Sequence, residues 1–205
     1  MEVTKLVLAF KWIPLYNASC NLPSWAVLGE VATLCTLAYG TKLYPFPRQG
    51  SIVASRGERF LIDRGIPFES LEYDFQKKGS EHAAEALGVP LDVMLKSLVV
   101  RLSDRRFVFA LMPGTKDVSL KEMARFIGVK EAQMASERDA QRLTGYLVGG
   151  ISPFGARTQL PVYVDRGVVG HGEIYINGGR RGLILKLKTS DLVNVLQPQV
   201  MGIAR

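Results

Sequence analysis

The sequence predicts an α+β fold: a mixed, curved, barrel-like β-sheet flanked by short helices, with an extra N-terminal segment ahead of it. Three observations predict it. Short β-branched and apolar runs, of which residues 96–102 and 106–112 are the clearest, dominate the chain after residue 55, and runs of that kind form partly buried strands. Capped helical patches are interleaved with them, but not in the strict alternation of a doubly wound sheet. Residues 1–55 differ in composition: they hold both cysteines, both tryptophans and few charges.

In that first segment residues 24–40 are mostly apolar but interrupted by Glu30. The stretch is short for a membrane span, and a central carboxylate is costly in lipid. As a signal peptide it is poor, since Glu2 precedes Lys5 and the apolar run begins late. A helical or irregular extension packed on the domain, or a poorly ordered tail, is expected instead. Residues 44–51 have linker chemistry, because each proline restricts itself and its predecessor. The boundary falls near Ser55, giving an extension over 1–55 and a domain over 56–205.

Within the domain, residues 58–64 read as a short helix stopped by Gly65, and residues 69–75 as a strand with partial alternation. Ser80 is the expected N-cap of a helix through Leu87, ended by Gly88. Pro90 starts a short helical turn toward Leu95. Two strands, 96–102 and 106–112, form a hairpin across Ser103-Asp104-Arg105. Ser119-Leu120-Lys121-Glu122 is a capping-box pattern, opening a helix with Leu120, Met123, Ala124 and Ile127 on one face and Gly128 at its end. Residues 135–142 read as a further helix. Strands are expected at 161–165, 173–177 and 183–187, and a last helix, capped by Thr189 or Ser190, through Leu196. No internal repeat is present.

Charge and composition narrow the chemistry. The formal charge of +7 fits a polyanionic partner and fits plain solubility equally well. Two cysteines give no disulfide framework, and two distant histidines without cysteine neighbours argue against zinc. No metal or other cofactor is expected, and a reducing, cytoplasmic compartment is the default. Neither a Gly-x-Ser-x-Gly elbow nor a Walker or dinucleotide motif occurs. His82 and His171 are read as structural. An enzyme built from these residues works by placement and electrostatics, not through an activated protein nucleophile.

Three stretches are candidates for a site. The run Thr-Gly-Tyr-Leu-Val-Gly-Gly-Ile-Ser-Pro-Phe-Gly, residues 144–155, sets paired glycines after a strand-like segment. It reads either as a sharp turn or as a cradle whose main-chain N–H groups face a ligand. Lys96 lies at the mouth of an apolar strand beside Ser97. It is either a surface gatekeeper or an ammonium that binds a phosphate or polarises an ester carbonyl. Asn177-Gly178-Gly179-Arg180-Arg181-Gly182 is either an exposed basic turn or a phosphate clamp. Lys186 and Lys188, alternating on the next strand, would extend a basic strip from it.

Residues 96–100, 144–155 and 178–183 together resemble the YbaK/ProX aminoacyl-tRNA deacylases, and within them the Cys-tRNA(Pro) deacylases of the YbaK/EbsC type. The resemblance runs from about Arg56 to the C-terminus. It implies a YbaK-like editing domain that hydrolyses the ester of mischarged tRNA, Cys-tRNA(Pro) first and other small amino acids second. The acceptor end of tRNA(Pro) would be the partner, with prolyl-tRNA synthetase as a candidate second one. In such enzymes the substrate's own thiol attacks while the pocket orients it. The resemblance implies catalytic roles for Lys96, Gly149 and Gly150. It implies substrate binding by Tyr73, Ser97, Ser152, Pro153, Asn177, Gly178, Gly179 and Arg181.

Three positions depart from the family pattern. Gly79 stands near a family phenylalanine, Asn177 in place of a serine, and Ile184 in place of an aspartate. These bear on amino-acid specificity more than on reaction class. They also motivate an alternative, a non-catalytic tRNA- or synthetase-binding module of the same fold. A form tethered to a membrane through residues 24–40 is the weakest reading.

Overall fold

The computed structural model describes residues 53–205; the expectations for the linker and for stretch 24–40 lie outside the described residues. The elements run α1 (Arg56–Ile62), β1 (Glu69–Glu72), α2 (Ser80–Leu87), β2 (Leu95–Leu102), β3 (Phe107–Pro113), α3 (Leu120–Ile127) and β4 (Ala132–Met134), then α4 (Glu137–Thr144), β5 (Val162–Asp165), α5 (Arg166–Val169), β6 (Glu173–Asn177), β7 (Leu183–Lys188), α6 (Thr189–Leu196) and β8 (Gln199–Met201). The α+β class stands. Its strands divide into a three-stranded antiparallel sheet, β1-β7-β6, and a five-stranded sheet, β4-β2-β3-β5-β8. The latter is mixed: β2 is antiparallel to β3 and β4, whereas β5 runs parallel to β3 and β8. The sheets meet where Met94 bridges Tyr175, whose N–H donates to Val93 O at 2.9 Å.

Period-two alternation explains why β3 reads as continuously apolar. Phe109 and Leu111 point to one face, while Val108, Ala110 and Met112 point to the other. On the first face Leu111 shares a core with Ile174, Ile176, Leu183 and Leu185 of β6 and β7, while Phe109 packs with Val99, Ala140, Tyr146 and Ile151. The second is covered by α3, whose expected apolar face of Leu120, Met123, Ala124 and Ile127 packs there. Ser119 Oγ accepts from Glu122 N–H at 3.4 Å, the expected cap of α3.

Local capping moves several boundaries. Helix α1 starts two residues earlier than expected, because Ser55 and Glu58 form a reciprocal capping box. Helix α4 starts later, at Glu137, because Ser136 Oγ accepts from Asp139 N–H at 3.1 Å. The cap of α2 is Gly79 at φ +132°, not Ser80, which is already helical. Neither Thr189 nor Ser190 caps α6: the cap position is Lys188, with no side-chain bond. Residues 91–93 form only a turn before β2. Strand β1 ends at Glu72 rather than Phe75. Strands β4 and β8 and helix α5 were not expected.

Asp165 ties the unexpected pieces together. Its buried carboxylate accepts from Gly167 N–H through Oδ1 and from Ile203 and Ala204 N–H through Oδ2, each at 2.9 Å. Asp165→Ala leaves three donors without an acceptor and is expected to destabilise the fold by about 3 kcal/mol in chemical denaturation.

Among the described residues no helix is long and apolar enough to cross a membrane.

Candidate functional site

A cavity of about 310 Å³ opens between the two sheets. Its walls are residues 95–99 of β2, the start of α2, the end of β4, the start of α4, Asn177 of β6, Ile184 of β7 and the loop around Gly149. Tyr73, Lys96, Ser97, Gly149 and Asn177, all expected site residues, line it together. On β2, Leu95, Ser97 and Val99 share one side of the strand by alternation. Ser97 is 91% buried, and among the described residues its Oγ has no hydrogen-bond partner. Lys96 stands on the wall with its side chain 24% exposed, and its Nζ donates to Lys116 O at 2.9 Å and to Asp117 Oδ1 at 3.4 Å. The ammonium is thus anchored by one carbonyl and one largely exposed carboxylate.

Burial raises the Tyr73 pKa, so its phenol stays protonated and serves as a donor rather than a base. His82 meets the Tyr73 ring edge-on, with centroids 5.9 Å apart. At the mouth Lys78 pairs with Glu137 at 2.7 Å, and this partner's hydrogen bond and charge lower the exposed glutamate's pKa.

The loop after α4 is both a turn and a cavity wall. Residues 146–148 do not form the strand that their composition suggests; Gly150 N–H donates to Leu147 O at 2.9 Å and closes a tight turn there. Gly149 takes φ +96°, open to glycine and strained for other residues. A Cβ on Gly149 would meet the Phe75 ring at 2.9 Å, and one on Gly150 would meet the Arg180 and Arg181 backbone at 2.6 and 2.7 Å. The two glycine turns are therefore packed face to face.

Six expected site residues are not on the cavity lining. Gly150, Gly178 and Gly179 are contact points between the turns and their neighbours. Ser152 is buried with its Oγ accepting from Phe154 N–H at 3.2 Å, and Pro153 is buried beside it. Arg181 Nε donates to Val148 O at 3.0 Å, with its guanidinium 5.2 Å from the Phe75 ring centroid. Arg180 pairs with Glu72. Lys186 pairs with Glu173 at 3.2 Å and approaches Glu69 at 3.9 Å, which neutralises much of the expected basic strip.

Tyr146 is the anchor that sequence reasoning missed. Its hydroxyl donates to Phe154 O at 2.7 Å, and the Arg56 guanidinium lies 4.3 Å from its ring centroid while donating to Thr144 O. Burial pushes its pKa up to about 12. The protonated form is the one the fold stabilises, so its contribution is intact below the unfolded value near 10 and is lost as pH rises from there through about 12. Wild-type stability is expected to fall over that window by up to about 1.4 kcal/mol per pH unit more than that of Tyr146→Phe. Urea midpoints at stepped pH check this.

A family model described as an aminoacyl-tRNA editing domain matches residues 76–195. A protein of Enterococcus faecalis, provisionally named a Cys-tRNA(Pro)/Cys-tRNA(Cys) deacylase, is 27% identical over 143 residues, covering 69% of this chain and 87% of its own. A protein of Escherichia coli named a multifunctional Ser/Thr-tRNA deacylase is 27% identical over 161 residues, covering 77% of this chain and 96% of its own. A solved structure, provisionally titled a trans-editing enzyme for prolyl-tRNA synthetase, superposes with a TM-score of 0.69 at 25% identity, covering 77% of this chain and 99% of that one.

Proposed function

The chain belongs to the aminoacyl-tRNA editing domain family, and from that premise we propose that it deacylates mischarged Cys-tRNA(Pro), with other small amino acids as secondary substrates. The observation that carries this is one cavity lined by Lys96, Ser97, Tyr73 and the main chain of Gly149, of a size for an aminoacyl group. No histidine or cysteine lines it among the described residues. That composition suits chemistry in which the protein orients and the substrate reacts.

In this reading the cysteinyl thiol attacks its own ester carbonyl. The carbon–sulfur bond forms as the bond to the tRNA 3′ oxygen breaks, and the thiol proton passes to that oxygen. Water then opens the released thiolactone to free cysteine. Lys96 and the Gly149 main chain stabilise the developing oxyanion, and Tyr73 and Asn177 supply further hydrogen bonds. For side chains without a thiol, water is the attacking group. Editing of this kind is needed because a synthetase pocket rejects a near-isosteric amino acid only weakly.

The buried, apolar Ile184 in the cavity wall favours one second reading, a tRNA- or synthetase-binding module without turnover. Purified full-length protein is incubated with tRNA(Pro) charged with cysteine, serine or alanine, alone and with prolyl-tRNA synthetase. Release of the amino acid, fastest for cysteine, is expected. Binding without release would establish the second reading and reject the first.

A further inference from the structure

Strand β2 has one covered edge and one that is open over part of its length. Leu102 N–H donates to Arg106 O at 2.8 Å, so in the β2–β3 ladder the even-numbered residues of β2 turn their N–H and C=O groups toward β3. Phe109 obeys the same parity: it stands opposite Val99, yet its N–H donates to Pro161 O at 2.8 Å, away from β2. The odd-numbered residues of β2 therefore turn their main-chain groups to the other edge. At both ends that edge is occupied. Just ahead of β2, Val93 O accepts from Tyr175 N–H of β6 at 2.9 Å. Further along, Val99 O accepts from Ala135 N–H at 3.0 Å, and Arg101 pairs with Gln133 of β4.

Between these points both neighbours peel away. The contact with β6 is the single Met94–Tyr175 bridge, and two residues on, Asn177 lines the cavity without pairing to β2. Strand β4 ends at Met134, and the chain turns into α4 behind its cap, Ser136. The cavity occupies the gap: five consecutive residues, 95–99, all line it. Alternating side chains would bring only every second residue there, so the strand is presented edge-on, main chain included. Ser97 keeps 9% of its surface accessible while its Oγ is shielded, so the accessible part is main chain and Cβ. Its N–H and C=O have no strand partner among the described residues.

We infer that the Ser97 main chain is the subsite for the backbone of the aminoacyl group: its C=O accepts from the α-ammonium and its N–H donates to the ester carbonyl. This rests on the deacylase reading above and names a contact by which that site holds its substrate. A strand residue with both groups on one edge matches a donor and an acceptor on either side of one Cα, as in a hydrogen-bonded antiparallel pair. The one carboxylate in the lining, Glu137, is bonded to Lys78 at 2.7 Å and is not a free counter-charge for an ammonium. Main-chain pairing along an open strand edge supplies affinity whatever the side chain, so this contact serves every amino acid the cavity admits.

Amide hydrogen exchange and binding on ¹⁵N-labelled full-length protein test this with two non-hydrolysable probes, 3′-alanylamido adenosine and its desamino analogue, 3′-propionylamido adenosine. In the free protein the Ser97 N–H is expected to exchange about tenfold or more faster than those of Leu98 and Val100, which face β3. Saturation with either probe is expected to slow Ser97 exchange by about tenfold or more, because both carry the carbonyl. Loss of the ammonium is expected to weaken binding by about 10- to 100-fold, the scale of a hydrogen bond to a charged group. A Ser97 N–H as protected as that of Leu98 in the free protein, or equal affinities for the two probes, would overturn the inference. Binding that leaves Ser97 exchange unchanged rejects the inference alone, whereas failure of both probes to bind rejects the deacylase reading with it.

Discussion

Lys96→Ala is expected to lower kcat/KM for Cys-tRNA(Pro) by about 10²- to 10³-fold, the loss typical of removing one preorganised donor to a developing oxyanion. The same change is expected to leave stability nearly untouched. Among the described residues the lysine's one ion pair, to Asp117 at 3.4 Å, joins it to a carboxylate that is 75% exposed, and exposed pairs contribute about 0–1 kcal/mol. The ammonium is bonded to the main-chain carbonyl of Lys116, outside the cavity lining, and its loss leaves a carbonyl that water can reach. Kinetics and thermal melts on one preparation separate the two effects. A large drop in Tm would mean that Lys96 is a structural strut.

Gly149→Ala and Gly150→Ala are expected to fail differently. At Gly150 the added carbon meets backbone atoms of Arg180 and Arg181 at 2.6 and 2.7 Å, which cannot swing aside. That change is expected to destabilise the fold by about 3 kcal/mol, at the upper end of overpacking penalties. At Gly149 the obstacle is the Phe75 ring, the end of a side chain, and the residue must be held at φ +96°. The strain there amounts to about 1–3 kcal/mol, and the main chain at the cavity wall shifts. Gly149→Ala is therefore expected to lose more activity than stability, and Gly150→Ala the reverse. Urea titration beside steady-state deacylation reads both.

What sequence revealed and what it hid divide along physical lines. The α3 face and its Ser119 cap were legible because helix periodicity and capping are local. Lys96 and Gly149, to which the resemblance of three short runs points, both contribute to the lining of one cavity. Strands β4 and β8 were not legible, since each is three residues long and exists only through its partner, β4 along β2 and β8 along β5. The pairing of Arg180 with Glu72 joins residues far apart in sequence, so a basic turn looked free when read alone. Ser80 misled for a local reason: serine before a helical run is a normal cap, and only a glycine at positive φ one residue earlier displaced it. Tyr146 carried no signal beyond its composition, because the carbonyl that it reaches belongs to the far side of its own loop.

The central claim is that one cavity, with the Gly149 main chain and Lys96 on its walls, receives the aminoacyl ester. Titrating ¹⁵N-labelled protein with a non-hydrolysable 3′-cysteinylamido adenosine tests it most directly. The account predicts saturable amide shifts centred on Gly149, Ser97 and Tyr73. Shifts centred instead on the groove lined by Leu120, Arg125 and Lys130, with Gly149 unmoved at saturation, would contradict it.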